Sequence, residues 1–287
     1  MIAINLRGGL GNQMFQYAAG LSLAKKNNCE LLMDTSWFEN IDPKDTMRKY
    51  ELDCFLLDQN IVDKADIELA GEMNRLGLVL NRIKKSNYFT EYVETSTRFD
   101  KKFYSLKGNV YLVGYFQSEK YFKEIRPELL HTFSFKDKPN LKNKQIIENA
   151  NSQNSISIHV RRGDYVSNKN SNKFHGVQGL DYYKKAIKLI ESKIKEPHYF
   201  VFSDDIEWCK KNLLLVKNAT FVSNSRGSDD LRIMIECKHN IIANSSFSWW
   251  GAWLGSNGDK MVVAPMNWFK SKEADSSDII PSRWQRI

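Results

Sequence analysis

Apolar residues run along this chain in short β-branched and aromatic bursts, each ending on glycine, asparagine, serine, aspartate or arginine. Residues 2–6 form the first burst and read as a buried strand, followed by Arg7-Gly8-Gly9-Leu10-Gly11-Asn12. From Gln13 the spacing turns helical through Met14, Tyr17, Ala18, Leu21 and Ala24, and stops at Lys26-Asn27-Asn28 before a second strand over 30–33. A strand, a glycine loop, a helix and a strand make a βαβ opening, with backbone N–H groups and a helix N-terminus at the sheet's end. The chain from 37 to 57 is irregular. Residues 63–83 predict a helix with Ala65, Ile67, Leu69, Met73, Leu76, Leu80 and Ile83 on its buried face. Strands are expected over 88–93 and 110–115. The second runs into Gln117, Ser118 and Glu119, which either touch a substrate or begin the next helix.

A charged, asparagine-rich stretch, 136–154, contains Pro139 and a helical run over 142–150, and it suggests a boundary dividing 1–152 from 153–287. Beyond it the pattern alternates regularly. Strands are predicted over 156–161, 198–202, 219–222, 240–243 and 260–264, the last closing the series. Helices are predicted over 181–195, around Trp208, Cys209 and Leu213, over 229–238, and after Asn244, while 166–179 reads as a polar loop. Such alternation predicts an α/β fold whose C-terminal half is a doubly wound parallel sheet.

Composition narrows the class. Of 287 residues, 42% are hydrophobic and 26% charged, as in ordinary globular proteins. Lys and Arg number 42 against 34 Asp and Glu, a net charge of +8, which suits nucleic acid, an anionic membrane face or a phosphorylated small molecule. The basic residues are scattered pairs such as Lys25-Lys26 and Lys210-Lys211 without a long block, so nucleic acid is not expected as a partner. Four cysteines with no C-x-x-C indicate neither a zinc site nor a disulfide framework. The N-terminus lacks the basic and apolar regions of a signal peptide, and no window approaches ~18 apolar residues. A cytoplasmic location is the expectation.

The candidate chemistry sits where strands end. Ile156, Ile158 and Val160 lead into Arg161-Arg162-Gly163-Asp164, which places two guanidiniums at the lip of a sheet. Guanidinium grips phosphate with paired hydrogen bonds, so a diphosphate is the natural ligand; a strand-end Arg–Asp salt bridge is the competing reading. Ser203-Asp204-Asp205 and Asn244-Ser245-Ser246 end two further strands. The serines either cap a phosphate with a helix N-terminus or cap the helix itself. Trp249, Trp250 and Trp253 by themselves read as core. Gly9-x-Gly11 is a poor dinucleotide fingerprint, because Met14 stands where a third small residue belongs, although Asp34 lies at the distance of a ribose contact. A NAD- or FAD-dependent oxidoreductase would use that turn and leave the arginine and serine motifs unexplained. A non-catalytic nucleotide-sugar or glycan-binding module is the third class.

Five motifs together are no longer generic. Gly8-Gly9-Leu10-Gly11-Asn12-Gln13-Met14-Phe15-Gln16-Tyr17-Ala18, Gly114-Tyr115-Phe116-Gln117-Ser118-Glu119-Lys120-Tyr121-Phe122, His159-Val160-Arg161-Arg162-Gly163-Asp164-Tyr165, the run from Phe202 to Cys209, and that from Asn244 to Leu254 resemble the α-1,2-fucosyltransferases of glycosyltransferase family 11, in consistent order from residue 8 to 254. The likeness is to the bacterial rather than the Golgi type. It implies a GT-B-like arrangement of two Rossmann-type halves facing a cleft, the first on the acceptor side and the second binding GDP-L-fucose. Inverting transfer to O2 of a terminal β-galactoside follows, with no metal or other cofactor; the absence of D-x-D agrees with that.

By the same resemblance Arg161 stabilises the departing GDP, and Arg162 braces the loop or pairs with Asp164. His159 touches the nucleotide, Asn244, Ser245, Ser246 and Phe247 hold the diphosphate end, and Asp204 or Asp205 receives guanine or ribose. Gly9 and Gly11 let the backbone come near, Asn12 faces the reacting centre, and Gln117 and Glu119 lie on the acceptor side. Asp164, Glu119 and Asp34 are the candidates for a base. The acceptor can be an O-antigen repeat, a capsule unit or a free oligosaccharide, and the +8 charge permits a peripheral position at the inner membrane face on a lipid-linked acceptor.

Overall fold

The computed structural model describes residues 1–42, 46–62, 67, 88–214 and 216–287, which form two compact units, 1–134 and 135–287. In the first unit, β1 (Ile2–Asn5) is buried throughout and leads into helix α1 (Leu10–Lys26). Strands β2 (Leu31–Asp34), β3 (Ile61–Val62), β4 (Thr90–Val93) and β5 (Val110–Val113) and helix α2 (Arg126–Thr132) follow. The sheet order is β3-β2-β1-β5-β4, and every described pairing is parallel. Strand order therefore reverses between β1 and β5, where the loops after these strands open side by side. Helix α1 starts at Leu10, ahead of Gln13, because Gly9 is its N-cap: the Gly9 carbonyl accepts the N–H groups of Asn12 (2.9 Å) and Gln13 (3.1 Å). Of the helix expected over 63–83, only Ile67 is among the described residues; it is buried against Ala3, Phe89 and Tyr111.

The second unit begins with α3 (Leu141–Ser152) and β6 (Asn154–Val160). Helices α4 (Gly163–Ser167), α5 (Lys169–Phe174) and α6 (Leu180–Glu191) come next, then β7 (Pro197–Ser203), α7 (Ile206–Asn212) and β8 (Ala219–Val222). Helix α8 (Gly227–Glu236), β9 (His239–Ile241), α9 (Ser246–Leu254), β10 (Val262–Ala264) and β11 (Gln285–Arg286) complete it. All described pairings in the order β11-β10-β9-β6-β7-β8 are parallel. Alternate residues of β7 go to opposite faces, as the two-residue strand period requires. Tyr199 and Val201 join Ile156, Ile158, Tyr183 and Ile187 on one side, while Phe200 and Phe202 join Ala150, Ile233 and Met234 on the other. Helices cover both faces, so the doubly wound parallel sheet expected from the alternation is the observed one.

Three sequence expectations shift. The division falls after Ser134 rather than at 152/153, because α3 packs Ala150, Ile146 and Ile147 into the core of the second sheet. The polar loop over 166–179 holds the helical turns of α4 and α5; their lack of an apolar period had concealed them. Strand β10 does not close the series, since β11 pairs beside it at the edge.

Candidate active site

In the second sheet β6 is the first strand in sequence; β7 and β8 extend it on one side, and β9 and β10 on the other. The order reverses between β6 and β9, the position at which open α/β sheets bind ligands beyond their carboxyl ends. The three polar strand ends singled out in the sequence belong to β9, β6 and β7, which are adjacent.

Strand β6 alternates strictly. Ile156, Ile158 and Val160 enter one core, and Ser155, Ser157 and His159 are buried on the opposite face. Ser155 Oγ accepts the Lys238 N–H (3.0 Å), and Ser157 Oγ accepts from Asn240 Nδ2 (2.6 Å). His159 Nδ1, by contrast, has no hydrogen-bond partner among the described residues, although the residue is only 5% exposed. Its ring packs on Phe247 with centroids 5.6 Å apart. Burial first, then the nearby Arg161 charge, push its pKa down to about 3, so the imidazole is neutral.

Arg161 carries two ion pairs. Nη2 donates to Asp164 Oδ1 (2.6 Å) and Nη1 lies 2.9 Å from Asp204 Oδ2. Two of its five N–H donors are thereby engaged, leaving others for an incoming phosphate. The guanidinium also lies 5.5 Å from the Tyr165 ring centroid. Arg162 pairs with Asp205 through Nε (3.1 Å) and stacks at 3.9 Å over Trp208. It thus braces the loop as expected, through Asp205 rather than Asp164. Asp205 in turn caps α7 by accepting the Trp208 N–H (3.2 Å), and Asp204 accepts the Arg162 backbone N–H (2.8 Å). Both aspartates therefore hold the arginines and their loop. Gly163 leaves room for the Asp204 carboxylate, since a Cβ would lie 2.5 Å from Asp204 Oδ2 and would displace it.

Beyond β9, Asn244 serves as a clamp. Its Nδ2 donates to the carbonyls of His175 (3.0 Å), Gly176 (3.2 Å) and Trp268 (3.1 Å), while its own carbonyl accepts from Tyr165 Oη (3.3 Å). Ser245 is the N-cap residue of α9 but makes no capping hydrogen bond with its side chain. Of the two readings of these serines, self-capping by Ser245 is not the observed one. The first-turn N–H groups of α9 lack that side-chain partner and suit an anion. Trp249, Trp250 and Trp253 are core residues, at most 2% exposed, with Trp249 Nε1 donating to the Ile279 carbonyl (2.8 Å).

In the first unit the loops after β1 and β5 meet. Gln117 Nε2 donates to Asn12 Oδ1 (2.8 Å), which joins two predicted site residues 105 positions apart. Glu119 lies in a short 3₁₀ turn that Ser118 caps by accepting the Lys120 N–H (3.3 Å), so Ser118 and Glu119 begin a helix-like turn. The strained glycine is Gly8 (φ +75°), not Gly9, which has ordinary extended backbone, or Gly11, which lies within α1. A Cβ on Gly8 would lie 2.7 Å from Asn12 Nδ2.

Asp34 is fully buried and accepts from Asn5, Tyr111 and the Ser36 N–H. Burial works against its charge, but the bonds from Tyr111, Ser36 and Asn5 outweigh that and hold its pKa below the usual value. It is a structural carboxylate and a poor base.

Sequence reasoning passed over the two buried glutamines of α1. Gln13 Nε2 donates to the Gly8 and Lys49 carbonyls (both 2.8 Å), and Gln16 Nε2 donates to the Gly114 carbonyl (3.1 Å). Their spacing, on the helix face that carries Tyr17, was the available signal. Glu94 was also passed over. Its carboxylate, with a pKa raised by burial, accepts the N–H groups of Tyr115 (2.7 Å) and Phe116 and so supports Phe116 in a left-handed conformation (φ +50°).

Comparison with known proteins agrees with this arrangement. An Escherichia coli alpha-1,2-colitosyltransferase is 36% identical across 100% of this chain and 99% of its own length. The Escherichia coli O-antigen biosynthesis glycosyltransferase WbnK is 38% identical over 92% of this chain and 93% of its own. The mouse galactoside 2-alpha-L-fucosyltransferase Sec1 is 25% identical over 92% of this chain and 67% of its own. Among solved structures, POFUT1 in complex with GDP-fucose shares the GT-B-like fold, with a TM-score of 0.50 over 90% of this chain and 95% of that one at 14% identity. The model of "Glycosyl transferase family 11" matches residues 1–287. The chain belongs to glycosyl transferase family 11 and is a glycosyltransferase.

Proposed function

We propose that the chain transfers L-fucose from GDP-β-L-fucose to O2 of a terminal β-galactoside, with inversion at the sugar carbon and without a metal. The observation that carries this reading is the grouping at the ends of β9, β6 and β7 of Arg161, the neutral His159 and the α9 N-terminus that Ser245 leaves uncapped. A diphosphate suits that combination: a guanidinium for its charge and backbone N–H groups for its oxygens, with the His159 ring beside them. The guanine nucleotide is inferred from the resemblance and from the GDP-fucose bound to POFUT1.

In the reaction the bond from the sugar carbon to the β-phosphate oxygen breaks and the galactose O2 attacks from the opposite face. Negative charge grows on the departing diphosphate, where Arg161 exerts its pull. The hydroxyl proton leaves to a base on the attacking face or to solvent; Asp164, held in the ion pair with Arg161 on the leaving-group side, serves the guanidinium rather than that proton. Asp164 and Asp204 set the Arg161 guanidinium before the donor arrives. The amide pair Asn12–Gln117 is the candidate in the first unit for contacts to sugar hydroxyls.

A second donor is favoured by the 36%-identical colitosyltransferase. Colitose is fucose without its 3-hydroxyl, so the same diphosphate grip serves both sugars. The test is GDP release with EDTA present, comparing GDP-fucose and GDP-colitose against lactose, N-acetyllactosamine and no acceptor. Acceptor-dependent release from GDP-fucose supports the reading, and release from GDP-colitose alone replaces the donor. Abolition by EDTA refutes metal independence, and no release from folded protein refutes transfer from either sugar nucleotide.

A further inference from the structure

A second polar pocket lies in the second unit, between the stretch from α5 to α6 and the segment after β10. It has a volume of about 770 Å³ and is lined by Asn172, His175, Gln178, Phe269, Lys270 and Ala274 among others. The two segments are sewn together. The Lys270 and Ser271 N–H groups donate to the Phe174 carbonyl (2.9 and 3.1 Å), Gln178 Nε2 donates to the Asn267 carbonyl (3.1 Å), and Lys270 Nζ donates to Asn172 Oδ1 (3.3 Å). Because all strands of this sheet are parallel, both segments open at the same edge as the arginine and serine motifs.

The wall combines amides, hydroxyls, backbone groups and two lysines with the rings of Phe269 and His175, a mostly polar lining that suits sugar recognition rather than a greasy ligand. The volume accommodates about two or three sugar rings with bridging water. Lys270 is engaged with Asn172, and Lys272 adds a second positive charge to the wall, so an anionic ligand is the alternative that the diphosphate competition below tests. His175 connects it to the donor motif. Its ring stacks on Tyr165 at 4.7 Å with an interplanar angle of 2°, and Tyr165 in turn faces Arg161 and donates to the Asn244 carbonyl. His175 Nδ1 is buried with no partner among the described residues, and burial lowers its pKa to about 4, leaving a neutral polar wall group.

We propose that this pocket is a glycan subsite holding the acceptor's sugars beyond the reacting galactose, so that an oligosaccharide is a better acceptor than a disaccharide. The inference rests on the glycosyl-transfer reading above, and the experiment separates the two. Ala274→Trp fills the pocket without deleting a side-chain hydrogen bond, and Ala274→Leu does so more gently. With a galactose-terminated tetrasaccharide, kcat/KM should fall about tenfold in the Trp variant, the worth of one or two lost hydrogen bonds, and less in the Leu variant. Turnover of lactose should be unchanged in both, which also reports that the variants fold. Equal losses with both acceptors, or no loss with either, overturn the subsite.

If wild-type protein transfers to no acceptor, the function reading falls, and the pocket is then tested by binding alone. Titration of the tetrasaccharide, followed by saturation-transfer NMR, should show binding to wild type that Ala274→Trp weakens. Inorganic diphosphate competing for the pocket more strongly than the glycan, or no glycan binding at millimolar concentration, overturns the proposal.

Discussion

Replacing Arg161 with alanine separates what the residue does for the fold from what it does for the reaction. Its side chain is 21% exposed and bridges two carboxylates, Asp164 and Asp204, that are themselves 15% and 24% exposed. Removing it leaves two partly desolvated negative charges facing each other without their cation, a loss of about 2–3 kcal/mol, below the 3–5 of a fully buried pair because all three groups keep some water. The reaction should lose more. A lost donor to developing oxyanion charge is worth about 3–4 kcal/mol, and a full guanidinium charge somewhat above that, so kcat/KM should fall about 10³- to 10⁴-fold. Arg161→Ala/Asp164→Asn then isolates the two effects. Neutralising Asp164 should return about half of the lost stability, measured by urea unfolding, and none of the lost turnover, measured by GDP release. Arg161→Lys should recover about tenfold of the activity, because charge returns without the planar fork. Turnover of folded Arg161→Ala within tenfold of wild type would refute the leaving-group role. Restoration of turnover by Asp164→Asn would show that the arginine acted only by positioning the loop.

Three further outcomes follow from the geometry. Ser245→Ala should leave thermal stability within about 0.5 kcal/mol of wild type, because the side chain makes no capping bond, while the donor KM rises several-fold; a clear loss of stability with unchanged KM would return Ser245 to a purely structural role. Gly8→Ala should cost about 1–2 kcal/mol for a residue forced to φ +75° and should also lower turnover by displacing Asn12, readable as a fall in both melting temperature and kcat. Asp230, whose carboxyl is pushed up to about 6, first by burial and despite the bond from Asn224 (2.9 Å), gives a pH effect of definite sign. The folded pKa lies above the unfolded one, so the group's contribution is most favourable below about pH 4 and is lost as pH rises through 6. Asp230→Asn should therefore stabilise the protein by up to about 3 kcal/mol at pH 7 and by little at pH 4, as chemical denaturation at the two pH values would show.

The alternation of apolar bursts with helical spacing was enough to order the larger strands and helices, though not the short α4, α5 and β11, because strand and helix periods are local properties of the chain and short polar turns carry neither. It also marked β6 and the residues at its end, since an apolar run that stops in Arg161-Arg162-Gly163-Asp164 can only present charge at a sheet's lip. Which strands lie side by side is not local. That β9, β6 and β7 are neighbours, and so bring Ser245, Arg161 and Asp204 to one edge, depends on where each crossover returns, and only the folded sheet decides it. Pairing is likewise a tertiary matter. The sequence offered Arg162 to Asp164, yet Gly163 lets the Asp204 carboxylate come close enough for Arg161 to take both Asp164 and Asp204, and Arg162 turns to Asp205 and Trp208. Asn12 and Gln117 met because β1 and β5 are adjacent, although more than a hundred residues separate them. Helical spacing puts Gln13 and Gln16 on the face that carries Tyr17, but glutamines count as polar in a hydrophobic pattern, and the Lys49 and Gly114 carbonyls that receive their N–H groups come from distant loops that only the fold brings near. The sequence, in short range, determined elements and their polar ends; the burial of polar groups and the partners of charges were decided by the fold, because desolvation and Coulomb attraction act between residues that the chain alone does not bring together.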